Sequence, residues 1–166
     1  MTINQTSKVS IEVLGGEITC GTGGAVIPTT TTVNVTSPKG STTSNTLPSS
    51  KKPLDVTVPV GTTFTVTGRA LSGYCSGFNG ASYTSTSSNN QQVWTLRNGE
   101  KPPNFKPYGG QKPIDEFLNK YLNPTTGLVT LAPNQVIFLF ELGTTEKNST
   151  AYDMQDLVVL GTISPT

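Results

Sequence analysis

The chain contains no histidine among its 166 residues, and this limits the chemistry that its other side chains can perform. Histidine exchanges protons readily near neutral pH and is the commonest metal ligand in proteins. Nucleophilic serine and cysteine residues usually depend on a neighbouring histidine as their base. The sequence therefore disfavours most hydrolase and metalloenzyme mechanisms, and we expect a protein that is not an enzyme.

The segment Gly73–Gly77 has the spacing of a nucleophile elbow, with Cys75 in the position of the nucleophile. An elbow requires a helix directly after the nucleophile, whereas Phe78-Asn79-Gly80 follows here. No histidine is present to accept the thiol proton. We therefore predict that Cys75 lies in a glycine-rich turn and has no catalytic role.

Glu141, Asp153 and Asp156 are carboxylates near strands that could approach one another. Two carboxylates suffice for glycoside hydrolysis, and several carboxylates with nearby carbonyl oxygens can bind Ca²⁺. However, ten acidic residues scattered over a surface will always offer some pair, and no dense Asp/Asn calcium loop is present. We therefore predict that these residues are solvated surface groups, and we expect no metal and no other cofactor.

Aromatic side chains could form a platform for a sugar, since a ring face accepts the apolar side of a hexose. The candidates are Trp94, Tyr74, Tyr83, Phe105 and Tyr108. The competing interpretation places Trp94 in the core, as an anchor next to Val93. We favour the core position for Trp94 and keep sugar binding as the alternative.

The segment 101–113 interleaves lysines with Phe105 and Tyr108, and its four prolines keep it extended. Such a segment could bind single-stranded nucleic acid. The formal net charge of +1, however, provides no broad field that would attract nucleic acid or an anionic membrane. We therefore predict an extended arm that contacts protein, and we expect neither nucleic acid nor membrane as a partner.

The composition is typical of a β protein with long polar loops. Hydrophobic residues make up 33% and charged residues 13% of the chain, below the globular averages of roughly 45–50% and 25%. Small polar residues fill the difference. The length of 166 residues fits one domain, residues 1–166. A chain of this length can bury a stable core without additional crosslinks such as disulfides or metal ions.

Alternating apolar and polar residues predict a series of short strands. The predicted strands are 8–14, 31–35, 54–60, 63–67, 93–96, 128–131, 135–142 and 157–163. The run Val136–Phe140 is apolar on both faces, which predicts a central strand covered from two sides.

One helix is predicted over residues 113–122, where proline opens the first turn and Asp115 and Glu116 complement the positive end of the helix dipole. Asn123-Pro124 ends it. Together with the strands, this helix predicts an all-β protein, an antiparallel β-sandwich that is jelly-roll-like and has one short helix and long polar loops.

A second segment, residues 36–53, is also unusual in composition. Residues 36–53 contain almost only small polar residues, lysine and proline, with Leu47 the one large apolar side chain, so we predict a mobile loop or an arm ordered by a neighbour.

The N-terminal residues lack the basic start and apolar run of a secretory signal, and we expect synthesis in the cytoplasm. Cys20 and Cys75 are therefore more simply interpreted as free thiols, although a disulfide stays open.

In overall style the chain resembles the capsid decoration, or cement, proteins of tailed phages. The resemblance depends on the Thr-rich alternating strands, the arm-like segments 36–53 and 101–113 and the lack of a catalytic set. It implies a virion protein, made in the host cytoplasm, that binds the major capsid protein and itself as a homotrimer. Candidate partner contacts in the two arms are Lys39, Lys51, Lys52, Phe105, Lys106 and Tyr108. The alternative function is a lectin-like, carbohydrate-binding β-sandwich module.

Overall fold

The computed structural model describes residues 1–48, 52–86 and 91–166, and these residues form strands, turns and one short α-helix. The strands are β1 Ser7–Gly15, β2 Thr29–Thr36, β3 Thr42–Pro48, β4 Leu54–Val58, β5 Thr63–Ala70, β6 Ala81–Thr84, β7 Val93–Leu96, β8 Gln135–Phe140 and β9 Leu157–Pro165. The helix α1 is Ile114–Leu118, and the 3₁₀ turns are Tyr108–Gly110 and Asn119–Tyr121.

The strands form two antiparallel sheets that pack face to face. The five-stranded sheet has the order β4-β1-β9-β8-β7, and the four-stranded sheet has the order β3-β2-β5-β6. Val33 and Val66 of the smaller sheet share one buried cluster with Val9 and Ile11 of the larger sheet, as expected from the alternation of apolar and polar residues along each strand. The predicted all-β sandwich is confirmed.

The predicted central strand is also confirmed, because β8 lies between β9 and β7. Phe138 and Phe140 face the smaller sheet and belong to the cluster between the sheets. Ile137 and Leu139 face the opposite side, where they pack in a second buried cluster with Leu118 and other residues from the connection between β7 and β8. That connection therefore covers the outer face of the larger sheet as a third layer.

Of the two elements predicted in this connection, the helix is confirmed and the strand is wrong. The α-helix Ile114–Leu118 continues as the 3₁₀ turn Asn119–Tyr121, so the α-helical part is shorter than the predicted range 113–122. Residues 128–131 form no strand, and Val129 makes only an isolated bridge to Leu122. The backbone N–H of Val129 bonds instead to the carbonyl of Glu100, so this segment satisfies its polar groups on neighbouring loops. Among the described residues, no helix is both long and apolar enough to cross a membrane.

The prediction of an arm over residues 36–53 is wrong for Thr42–Pro48, which is strand β3 and pairs with β2. Threonine is β-branched and favours the pleated conformation, and hydroxyl groups of facing threonines bond across the strand pair. Leu47 is buried in the core. Residues 49–51, including the candidate contact Lys51, lie outside the described residues.

Candidate ligand-binding site

Glu141, Asp153 and Asp156 meet inside the protein and form a cluster that we call the acid trio. Their side chains are 0%, 1% and 3% exposed, and one carboxylate oxygen from each lies within 4.8 Å of the others. The prediction of solvated surface groups is therefore wrong. Phe140 and Leu157 are partners at the end of the β8–β9 pair, so Glu141 and Asp156 occupy the next positions along the two chains.

Glu141 binds both ends of the loop that joins β8 to β9. Its Oε1 accepts hydrogen bonds from the backbone N–H groups of Gly143 (2.9 Å) and Thr144 (3.1 Å). Its Oε2 accepts from those of Asp153 (2.9 Å) and Met154 (3.2 Å). One carboxylate thus fixes the start and the end of the loop, residues 142–153.

Asp156 lies beside Glu141 and shares a hydrogen bond with it. Burial, followed by the charge of Glu141, raises the pKa of Asp156 well above its ordinary value. Burial also raises the pKa of Glu141, although the contact with Asp156 acts in the opposite direction. The Oδ2 oxygen of Asp156 accepts the N–H groups of Leu142 (2.6 Å) and Gly143 (2.8 Å). Two buried carboxyl groups with raised pKa values therefore lie side by side, an arrangement that favours one proton shared between them.

Asp153 connects the acid trio to the segment 101–113. Its Oδ2 accepts the backbone N–H of Tyr108 and the side-chain amide of Gln155, both at 2.9 Å. Burial raises the pKa of Asp153. The predicted extended conformation is interrupted by the 3₁₀ turn Tyr108–Gly110. The segment packs on its own chain, where the Phe105 ring stands edge-on to the ring of Tyr152, with centroids 5.2 Å apart.

The acid trio suits neither Ca²⁺ binding nor glycoside hydrolysis. Ca²⁺ requires about six to eight oxygen ligands, whereas both oxygens of Glu141 and Oδ2 of Asp156 already accept two backbone N–H groups each. Hydrolytic carboxyl pairs stand about 5–9.5 Å apart around an open sugar site, and this buried trio is tighter. Its geometry is that of an anchor for surrounding backbone.

The anchored backbone forms two adjoining hollows. The first, which we call the aromatic cleft, lies between residues 105–109 and 147–152 and has a volume of about 400 Å³. Its walls include Phe105, Lys106, Tyr108, Lys147, Asn148 and Tyr152. The Tyr152 hydroxyl donates a hydrogen bond to the Gln91 carbonyl, which together with the Phe105 contact fixes this ring.

The second hollow, which we call the apolar pocket, shares Tyr108 with the cleft and has a volume of about 270 Å³. Ile18, Ile27 and Phe78 contribute its apolar walls, and Asp156 is among its polar lining residues. Cys20 and Cys75 stand on two loops of this wall and form a disulfide, with Cα atoms 5.5 Å apart. The interpretation as free thiols is therefore wrong, because the β1–β2 and β5–β6 connections meet at this end of the sandwich.

The structure brings together only part of the predicted site. Phe105, Lys106 and Tyr108 line the aromatic cleft, whereas Lys39 and Lys52 are exposed elsewhere, in the β2–β3 turn and before β4. The sequence analysis missed the opposite wall of the cleft, residues 147–152.

The core position predicted for Trp94 is wrong, since its side chain is 44% exposed. Trp94 stands on β7, the edge strand of the larger sheet, where only part of a ring can be covered. Tyr74 is 52% exposed on the disulfide loop and lines neither hollow. The five aromatic residues therefore do not form one platform.

The raised pKa of Asp156 predicts that this group's contribution to stability falls as pH rises. A carboxyl group whose pKa is higher in the folded state stabilises fully below its unfolded pKa, and this contribution is lost as pH rises through the folded pKa. Asp156→Asn keeps a donor toward Glu141 and an acceptor for Leu142 and Gly143, so it should flatten the decline. Urea unfolding from about pH 4 to about pH 9 measures this. The exposed Asp115→Asn is the matched control, and equal slopes for both variants would contradict the shared proton.

No protein-family model, curated protein or solved structure matches this chain. The functional proposal therefore depends on the geometry of the two hollows.

Proposed function

We propose that the protein is a non-enzymatic carbohydrate-binding module and that the saccharide lies in the aromatic cleft. The observation that carries this proposal is the composition of the cleft. Phe105 and Tyr108 are partly exposed rings, with the buried Tyr152 behind them. Asn148 and the hydroxyls of Ser149 and Thr150 are in the facing wall. Rings that stack on a sugar and amides or hydroxyls that bond its hydroxyl groups are the groups that saccharides require.

The buried anchors support the same proposal, since both walls are held in place before any ligand arrives. Glu141 fixes the ends of the loop that carries the wall 147–152, and Asp153 holds the backbone of Tyr108. A cleft organised in advance loses little conformational entropy on binding. The volume of about 400 Å³ is within the usual range for small-molecule sites, about 300–1,000 Å³.

Tyr108→Ala should weaken saccharide binding by about tenfold, because a stacking ring is removed from the cleft. The backbone N–H that bonds to Asp153 stays in this variant, so the fold should persist. Screening on a glycan array and then calorimetric titration of the best glycan measure the change.

The matched control is Tyr74→Ala, the same truncation at an exposed position outside both hollows. Equal affinity of Tyr108→Ala and wild type would contradict the assignment to the cleft. Loss of binding in Trp94→Ala alone would move the sugar to the edge strand β7, and a failure of the wild type to bind any glycan would overturn the proposed function.

The hypothesis of a capsid decoration protein stays a prediction, as do the homotrimer, the major capsid protein as partner and the location in a virion. Its main structural argument, two segments that cannot fold without a partner, is weakened. Residues 42–48 pair within a sheet, and 101–113 packs through Phe105 and Tyr108 on its own chain. Sedimentation analysis and cosedimentation with capsids would test the hypothesis.

A further inference from the structure

The charges that line the aromatic cleft all have one sign. Lys106 belongs to one wall and Lys147 to the other, and no aspartate or glutamate lines the cleft. Among the described residues, the ion pairs are Lys8 with Asp55 and Lys112 with Glu116. The ammonium groups of Lys106 and Lys147 therefore have no carboxylate partner in the described part of the protein.

The acidic groups nearest to the cleft along the chain form no ion pair with these two lysines in the described part of the protein. Asp153 lies beneath the cleft, where its carboxylate is buried and engaged with the backbone of Tyr108 and with Gln155. Glu146 precedes Lys147 but is not among the lining residues. Two positive charges thus flank a set of rings and an amide.

We infer, on the basis of the proposed function, that the natural ligand is an acidic saccharide. Its carboxylate or sulfate group would lie between Lys106 and Lys147, while a sugar ring stacks on Phe105 or Tyr108. Hydrogen bonds between ammonium and anionic oxygens are stronger than neutral ones. A flexible lysine stem provides a point charge that accepts either a carboxylate or a sulfate.

The inference is tested on an array of glycans that carry uronate, sialate or sulfate groups, each beside its neutral counterpart of the same length and linkage. We expect the wild-type protein to prefer the acidic member of the best pair by about tenfold, the effect of two charged hydrogen bonds in a solvent-accessible cleft. The preference should shrink as salt is added, because exposed charges are screened. Comparing the carboxylated with the sulfated glycans identifies the anionic group.

Two charge-matched variants locate the preference. Lys106→Gln with Lys147→Gln should abolish it while neutral glycans still bind. Lys39→Gln with Lys120→Gln, the same change at exposed positions outside the cleft, should leave it intact. Melting temperatures of both variants verify that they are folded.

The outcomes separate this inference from the proposed function. Equal binding of acidic and neutral glycans would overturn the inference and leave the carbohydrate-binding function standing. An acidic preference that survives in the Lys106/Lys147 variant would also overturn it. If no glycan of either kind binds, both the inference and the proposed function are wrong.

Discussion

Glu141→Gln should lower the free energy of unfolding by about 2 kcal/mol, because at least one backbone N–H group would lose its acceptor, at about 1–3 kcal/mol for each group. Each carboxylate oxygen of Glu141 accepts two backbone N–H groups. The amide nitrogen of glutamine would replace one oxygen and face two donors, whichever way the amide turns. Urea unfolding near neutral pH measures the difference.

Asp156→Asn is the matched control, since it makes the same exchange of a carboxyl for an amide a few ångströms away. Asp156 accepts N–H groups through one oxygen, and its raised pKa favours a protonated carboxyl group that donates to Glu141. Asparagine can do both, so this variant should stay within about 1 kcal/mol of wild type near neutral pH. Equal losses in the two variants would show that burial alone, and not the direction of the hydrogen bonds, determines the cost.

A loosened loop should accompany the loss of stability in Glu141→Gln. Its side chain holds residues 143–144 at one end of the loop and 153–154 at the other, and the loop carries the wall 147–152 of the cleft. Hydrogen exchange at these four amides should accelerate more than exchange in β8. Uniform acceleration across β8 and the loop would instead indicate a general destabilisation with no positioning role for Glu141.

The sequence predicts the strands well where burial follows a local pattern. Val136–Phe140 is apolar on both faces, and this is sufficient to identify a central strand. The strand Thr42–Pro48 carries one large apolar residue, Leu47, and is stabilised by pairing with β2 and by hydroxyl contacts across the strands. Those contacts depend on which strands become neighbours in the sheet. The amino-acid composition of the segment does not show how the strands pair.

The buried acid trio could not be predicted from the sequence for a related reason. Glu141 directly follows one strand and Asp156 directly precedes its neighbour, so a predicted β8–β9 hairpin already places the two carboxyl groups together. The third member, Asp153, is held by the backbone N–H of Tyr108, a contact between segments far apart in the sequence that no local pattern contains. Trp94 illustrates the opposite error, because its strand has a core pattern but lies at the edge of the sheet.

Removal of the disulfide should have a second large effect. Replacing Cys20 and Cys75 by alanine should lower the free energy of unfolding by about 4 kcal/mol on the chain-entropy account, since the bond joins residues 55 positions apart and long closed loops restrict the unfolded chain most. Denaturant titration of the wild type with and without reductant provides the same comparison without a substitution. The alanine variant should not respond to reductant, which makes it the control for unspecific effects.

The loss of the disulfide should also affect the apolar pocket more than the aromatic cleft. Ile18, Ile27 and Phe78 line the pocket on the two loops that the disulfide joins, whereas Glu141 and Asp153 hold the cleft independently. Glycan affinity should therefore change less than about threefold in the folded double-alanine variant, although its stability falls.

A large loss of glycan affinity at a temperature where the variant is folded would mean that the saccharide extends past Tyr108 into the pocket. An unchanged unfolding midpoint under reductant would contradict the stabilising role of the bond itself.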